Sequence, residues 1–184
     1  MSTVTQVRSA RRPVRQDPAE RRRALYHLAS PVSVLTVGHE GTAHGTTAST
    51  VTLVSRVPLL VGVVLGADSS FARLAAAEGR FAINVLGGEQ ADVARHFADR
   101  ARLAGDGQFA GLAWTADSYA HAPLIAGALA HYTCRFHSAH STGDSELLLG
   151  YVVRATAGDG PPLLSHAGRL FTGSLHPAKE TSAS

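Results

Sequence analysis

Hydrophobic and polar positions change rhythm several times along the chain, and each change marks an element. Asp17-Pro18 has the chemistry of a helix start, a capping carboxylate followed by proline at the first helical position. The spacing predicts a helix to about Leu28, ended before Pro31. Val32, Val34 and Val37 predict a strand, with a turn over Gly38–Gly41. His44 to Ser55 is rich in Thr, Ser and Val and is expected to be extended. Leu59 to Leu65 is a continuous apolar run, read as a strand buried on both faces. Asp68-Ser69-Ser70 can cap a short helix over Phe71–Glu78. Phe81 to Leu86 reads as a strand. Glu89 to Leu103 has a helical period, with Val93, Phe97 and Ala101 on one face. Residues 105–123 are loop-like, and Ala128–His137, Leu147–Thr156 and Gly168–Thr172 read as three late strands.

These elements sum to a mainly β fold with one helix at the front and two in the middle. The strands do not alternate strictly with helices, so a doubly wound α/β sheet is not expected. A closed or split antiparallel barrel fits better. With 184 residues, one domain with a sizeable core is expected, over residues 17–176. Residues 1–16 read as a disordered arm, and residues 177–184 as a loose tail.

Charge is localised. Residues 1–23 carry seven arginines against Asp17 and Glu20, a net of +5, while residues 24–184 come to −2. The basic character therefore describes an arm rather than a body. The arm contains no aromatic residue on which bases could stack, so a nucleic-acid partner is not expected. Cys134 is the only cysteine, so neither an internal disulfide nor a multi-cysteine zinc site can form. The longest apolar run, Val57 to Ala67, is too short to span a bilayer. The basic start is followed by no apolar core of a secretory signal. A cytoplasmic protein is expected.

Familiar nucleotide and nucleophile motifs are absent. Gly105-Asp-Gly107-Gln-Phe-Ala-Gly111 approaches a dinucleotide fingerprint, but its last Gly is one residue late and it follows a helix. His137 and His140 are three apart but straddle a strand end with no carboxylate spacing to support a metal site, and each reads as a structural or surface residue. The hydroxyl clusters are more informative. Thr46-Thr47-Ala48-Ser49-Thr50 and Asp68-Ser69-Ser70 both fall at element ends. Converging hydroxyls and free N–H groups at a helix start can hold an anion such as phosphate, or can be ordinary capping.

In order and spacing, these segments resemble the flavin reductase-like family, the FMN-binding split barrels that act as reductase components of two-component monooxygenases. His44-Gly45-Thr-Thr47-Ala-Ser49-Thr50 is similar to the family's His-Gly-x-Thr-x-Ser-Ser segment, and Phe81-Ala-Ile-Asn84-Val85-Leu86 to its Phe-Ala-Val-Asn-Val-Leu strand. Ala94-Arg-His-Phe97, Phe109-Ala-Gly-Leu-Ala-Trp114, Ala122-Pro-Leu-Ile, Cys134-Arg135 and Pro162-Leu-Leu164 extend the match over about residues 20–175. The resemblance implies a Greek-key split β-barrel. It implies that Thr47, Ala48, Ser49 and Thr50 line the isoalloxazine and ribityl chain of FMN, that Ser69 and Ser70 meet the phosphate, and that Asn84, Val85 and Leu86 flank the flavin. Arg100 or Arg102 adds phosphate charge. The resemblance also implies a homodimer with FMN near the subunit interface.

One departure stands out. Gly143-Asp144-Ser145 occupies the place of the family's Gly-Asp-His, whose imidazole lies near flavin and nicotinamide. Ser145 cannot titrate near neutrality. Hydride transfer needs positioning more than proton transfer, so Asp144 and Ser145 remain the expected catalytic positions. The leading expectation is an NAD(P)H-dependent FMN reductase, with NADH or NADPH as reductant, serving a partner monooxygenase. The alternatives are an FMN flavoprotein acting on another small molecule in natural-product oxidation, and a flavin-binding interaction module.

Overall fold

The computed structural model describes residues 17–25, 27–173 and 175–176. The expected arm over 1–16 and tail over 177–184 lie outside the described residues. Helix α1 (Pro18–Leu25) leads into β1 (Ser30–Pro31), β2 (Ser33–His39) and β3 (Thr42–Ala48). Then come β4 (Thr52–Arg56), β5 (Leu59–Gly66), α2 (Ser70–Glu78), β6 (Arg80–Val85) and α3 (Ala91–Ala98). A 3-10 turn (Gly105–Phe109) precedes β7 (Trp114–Ala116) and β8 (Pro123–Ile125). Two long strands, β9 (Ala130–Thr142) and β10 (Ser145–Ala157), are followed by the small pair β11 (Leu164–His166) and β12 (Arg169–Phe171).

Seven strands form one antiparallel sheet in the order β3-β2-β6-β9-β10-β5-β4. Its two outermost strands, β3 and β4, are consecutive in the chain, joined only by Ser49, Thr50 and Val51. Laid flat, six strand spacings would separate them by about 29 Å. The connection reaches about 14 Å at most. The sheet must therefore roll until its edges meet, which makes it a barrel with a seam. The long connection from β5 through α2 to β6, which passes β10 and β9 and returns the chain beside β2, is the Greek-key step.

Side-chain alternation on β2 feeds two cores. Leu35 and Val37 pack with Phe71 of α2, Phe81, Ile83 and Leu148. Val32 and Val34 pack on the opposite side with Leu86, Phe97 of α3, Phe109 and Leu163.

Four expectations change. The helix over 89–103 is shorter, because Asp99 leaves helical geometry (φ −70°, ψ 121°) and its Oδ1 accepts from the N–H of Ala101 at 2.9 Å. Ala101 is therefore not on its face. The run Leu59–Leu65 is a strand but not buried on both sides: Leu59 is 40% and Val64 39% exposed. The loop-like 105–123 stretch contains the 3-10 turn and β7. The strand expected over Ala128–His137 runs on to Thr142, and the turn that follows is Gly143-Asp144 alone, with Gly143 at φ +66°.

Candidate active site

The seam opens into a cavity of about 550 Å³, a size typical of small-ligand sites. The end of β3 and its connection supply Thr46 to Thr50, the end of β5 supplies Val64 to Gly66, and α2 supplies its first turn. Phe97 and Ala98 of α3, then Arg100 and Arg102, close the far wall. Thr50 stitches the seam. Its Oγ1 donates to the carbonyl of Val64 at 2.7 Å and accepts from the Val64 N–H at 3.2 Å. Thr47 Oγ1 donates to the carbonyl of Ala94 at 2.7 Å and ties β3 to α3. Ser49 has no hydrogen-bond partner among the described residues.

The Gly66–Ser70 corner turns β5 into α2. Ser69 N–H donates to the Gly66 carbonyl at 3.0 Å, and Ser69 Oγ caps the helix by accepting from Ala72 N–H at 3.3 Å. Arg73 Nη2 donates to Ser70 Oγ at 3.1 Å. The helix N-terminus thus faces the cavity with unsatisfied N–H groups, hydroxyls and a cation beside it, an arrangement suited to an anion. Asp68 also lines the cavity and is its carboxylate.

The two arginines of the far wall differ. Arg102 is locked: Nε donates to Gln108 Oε1 at 3.1 Å, Nη1 to the Asp99 carbonyl at 2.7 Å and Nη2 to the Gly45 carbonyl at 2.6 Å. Burial lowers its pKa and Asp99 partly opposes this, but a guanidinium stays charged at neutral pH. Arg100 is exposed and has no hydrogen bond or ion pair among the described residues. His44 sits on the same wall. Its pKa is lowered by burial first, then by the charges of Arg102 and Arg73.

Of the residues expected at the site, Thr47, Ala48, Ser49, Thr50, Ser69, Ser70, Arg100 and Arg102 all line this one cavity. Asn84, Val85 and Leu86 do not. Asn84 is fully buried: Nδ2 donates to the Val34 carbonyl (3.0 Å), Thr36 Oγ1 (3.2 Å) and the Pro123 carbonyl (3.3 Å), and Oδ1 accepts from Ile125 N–H (2.8 Å). It ties β2, β6 and β8 together and does not line the cavity. Leu86 is fully buried in the second core, and Val85 faces a separate apolar groove with Leu53 and Tyr132.

Ser145 and Asp144 lie at the β9–β10 hairpin; neither lines the cavity, but Ser145 pairs with Gly66, which does. The Asp144 carbonyl accepts from Ala67 N–H at 3.2 Å, and Ser145 Oγ donates to Asp144 Oδ1 at 3.0 Å. His140 is on β9, exposed, beside Ser138 Oγ at 3.0 Å. Sequence reasoning missed His44 and Phe97 as residues lining the cavity, and Gln108, behind the wall, as the group that holds Arg102. The signal for His44 was alternation with Thr46 and Ala48 on β3. Nothing local pointed to Gln108.

A rolled antiparallel barrel with an anion-ready cavity in its seam defines a flavin reductase-type split barrel. The chain belongs to the flavin reductase-like family: the family model described as flavin reductase like domain matches residues 25–174. The reductase component of a 4-nitrophenol 4-monooxygenase/4-nitrocatechol 2-monooxygenase from Rhodococcus opacus is 35% identical over 154 residues, covering 84% of this chain and 80% of the relative. An NADH:riboflavin 5′-phosphate oxidoreductase of Streptomyces pristinaespiralis is 37% identical over 150 residues, covering 80% of this chain and 83% of the relative. The solved NADH:FAD oxidoreductase of Streptomyces globisporus C-1027, in complex with NAD and FAD fragments, matches with a TM-score of 0.77 at 33% identity, covering 91% of this chain and 98% of that one.

Proposed function

We propose that this protein is an NAD(P)H-dependent flavin reductase that takes FMN into the seam cavity and supplies reduced flavin to a partner flavin-dependent monooxygenase. One observation carries the reading: a single cavity joins the Thr47–Thr50 hydroxyl wall to the first turn of α2 and to Arg100 and Arg102. The residues fit the group. Ser69, Ser70 and the arginines suit its phosphate, the β3 hydroxyls its ribityl chain, and Val64, Leu65 and Phe97 the faces of its ring. When bound, the flavin supplies the acceptor for hydride from the reduced nicotinamide. The chain's own task is positioning. Thr50 keeps the β3 and β5 edges at a fixed separation, Arg102 presents a charge that cannot swing away, and backbone pairing ties Asp144 and Ser145 to Ala67 and Gly66 at the end of β5. The seam is open to solvent, which suits release of flavin as a product.

The homodimer belongs to the same proposal. Leu53 (50% exposed), Val54 and Val57 on and beside β4 join Leu59 in an apolar surface next to a groove of about 470 Å³. A second copy covering it would remove that surface from water. Sedimentation velocity on the purified chain tests this, with a monomer at micromolar concentration counting against it. A cytoplasmic location is proposed as well; among the described residues, no helix is long and apolar enough to cross a membrane.

The deciding experiment is anaerobic mixing of protein and FMN with NADH, then NADPH, while the visible flavin absorbance is followed. Catalytic bleaching above the protein-free rate is expected. Bleaching no faster than that control, with FMN retained, would instead favour an FMN flavoprotein with another substrate. The observation behind that second reading is Ser145, whose hydroxyl is directed to Asp144 and supplies no titrating group at the rim.

A further inference from the structure

The cavity wall contains a chain of hydrogen bonds in which each orientation is dictated by its neighbour. It begins at Gln108, which is 2% exposed. Its Oε1 is 3.2 Å from the Gly45 N–H and 3.1 Å from Arg102 Nε–H, two groups that can only donate. Its Nε2 is 3.2 Å from the Gly105 carbonyl and 3.4 Å from the Ala43 carbonyl, two groups that can only accept. The amide can therefore sit only one way round. Its NH₂ shares its two hydrogens among these two carbonyls and His44 Nδ1 at 3.4 Å, and its nitrogen has no lone pair with which to accept from Nδ1. A proton on Nδ1 would aim one N–H at another, so Nδ1 is bare and the imidazole carries its proton on Nε2. The same residue is anchored from behind, where His96 Nε2 meets the Gln108 carbonyl at 2.7 Å.

We propose that His44 acts as a neutral Nε2–H donor at the anion-binding end of the cavity, that Gln108 is the positioning residue that sets this tautomer while holding Arg102, and that the group His44 meets is the phosphate of a flavin nucleotide. The tautomer stands on the protein's own hydrogen bonds; the phosphate assignment rests on the flavin reading proposed above. His44 lines the same cavity as Arg102, Ser69 and Ser70, and Arg73 is bonded to Ser70. The other charged groups around it fit a neutral ring. Arg102 and Arg73 oppose a further positive charge, and Asp106 is held by the Ala43 N–H at 2.8 Å. Asp68 lies on the cavity wall with the α2 turn. Gln108 thus couples two donors of one site, a fixed cation and a neutral N–H, through one side chain that no ligand touches.

The tautomer is read on the unliganded full-length protein, ¹⁵N-labelled, by long-range ¹H–¹⁵N correlation of the imidazoles, with His44→Gln assigning the signal. Wild type is expected to show Nε2 protonated and Nδ1 bare at pH 7. In Gln108→Glu the carboxylate keeps both accepted bonds and offers an acceptor to Nδ1, which then gains a proton. A protonated Nδ1 in wild type, or a bare one in Gln108→Glu, overturns the assignment. The ligand half is read by titrating FMN and riboflavin, which differ by the phosphate. His44→Phe is expected to weaken FMN by about tenfold, the scale of one lost hydrogen bond to a charged group. Riboflavin is expected to stay within about twofold. His44→Gln, which keeps a neutral donor of similar reach, is expected to restore most of the FMN affinity. Equal losses for both ligands would overturn the phosphate assignment. A wild-type chain that binds neither ligand would sink the flavin reading and the phosphate assignment with it, and the tautomer result would stand by itself.

Discussion

Ser145 stands directly opposite Gly66 in the β10–β5 ladder, and Gly66 is the residue at which β5 ends on the cavity wall. The β9–β10 hairpin is therefore fixed to the rim by backbone pairing, whatever side chain position 145 carries.

Restoring an imidazole there tests what the position contributes. Ser145→His is expected to leave FMN affinity within about twofold, because the paired backbone does not move. Flavin bleaching by NADH should rise by less than about tenfold and gain a pH dependence near pH 6.5. An unchanged rate and a flat profile would mean that the hairpin does not reach the nicotinamide.

Thr50 and Ser49 are neighbours with different duties. Thr50→Val removes both bonds to Val64 and is expected to cost about 1 kcal/mol, lowering Tm by about 2–4 °C and weakening FMN as the seam loosens. Ser49→Ala should leave Tm unchanged and weaken FMN alone. Identical behaviour of the two variants in melting and titration would contradict this division.

Gly45 leaves no room behind β3. A Cβ there would lie 2.6 and 2.8 Å from the Phe97 ring, which is fully buried and backed by Phe109 at 5.1 Å between centroids. Gly45→Ala should cost about 1–3 kcal/mol of stability. The displaced ring borders the cavity, so FMN affinity falls too. Wild-type stability in urea would rule out this packing account.

Asp117 predicts the acid limb of stability. Burial by itself would raise its pKa. The Ala120 and Tyr119 N–H groups, at 2.7 and 2.9 Å, Thr133 Oγ1 at 3.0 Å and Arg154 at 3.3 Å overcome that and hold it below the ordinary 3.8. The unfolded chain then binds the proton more tightly. The contribution is complete above the ordinary value and is lost as pH falls through the folded one. Asp117→Asn is expected to cost about 2 kcal/mol at pH 7, or about 4–8 °C in Tm. The gap from wild type should close below about pH 4. Melting curves that stay equally separated down to pH 3 would refute the linkage.

Local signals carried much of this structure. The Asp68-Ser69-Ser70 run specified a helix start, and Ser69 is its cap. The hydroxyl cluster after His44 fell on the cavity, as did both arginines after α3. What could not be read depended on partners distant in the chain. Asn84 sits in a strand covered on both sides, so no alternation distinguished a ligand-facing amide from one satisfied by Val34, Pro123 and Ile125. Helix α3 stops short because the Asp99 side chain captures a following N–H, a competition that helical periodicity does not register. Gln108 lay in a stretch read as loop, and its link to His44 and Arg102 appears only once the barrel has rolled.

The short Ser49–Val51 connection also bears on the protein's fate in a cell. Until the first and last edges of the sheet meet there, no pocket exists, so a nucleotide that fits the seam recognises only the finished molecule and none of its partly unfolded forms. Occupancy then protects the chain through mass action, and chains without flavin spend more of their time exposed to proteases. Abundance of the enzyme would accordingly follow the supply of the molecule it reduces.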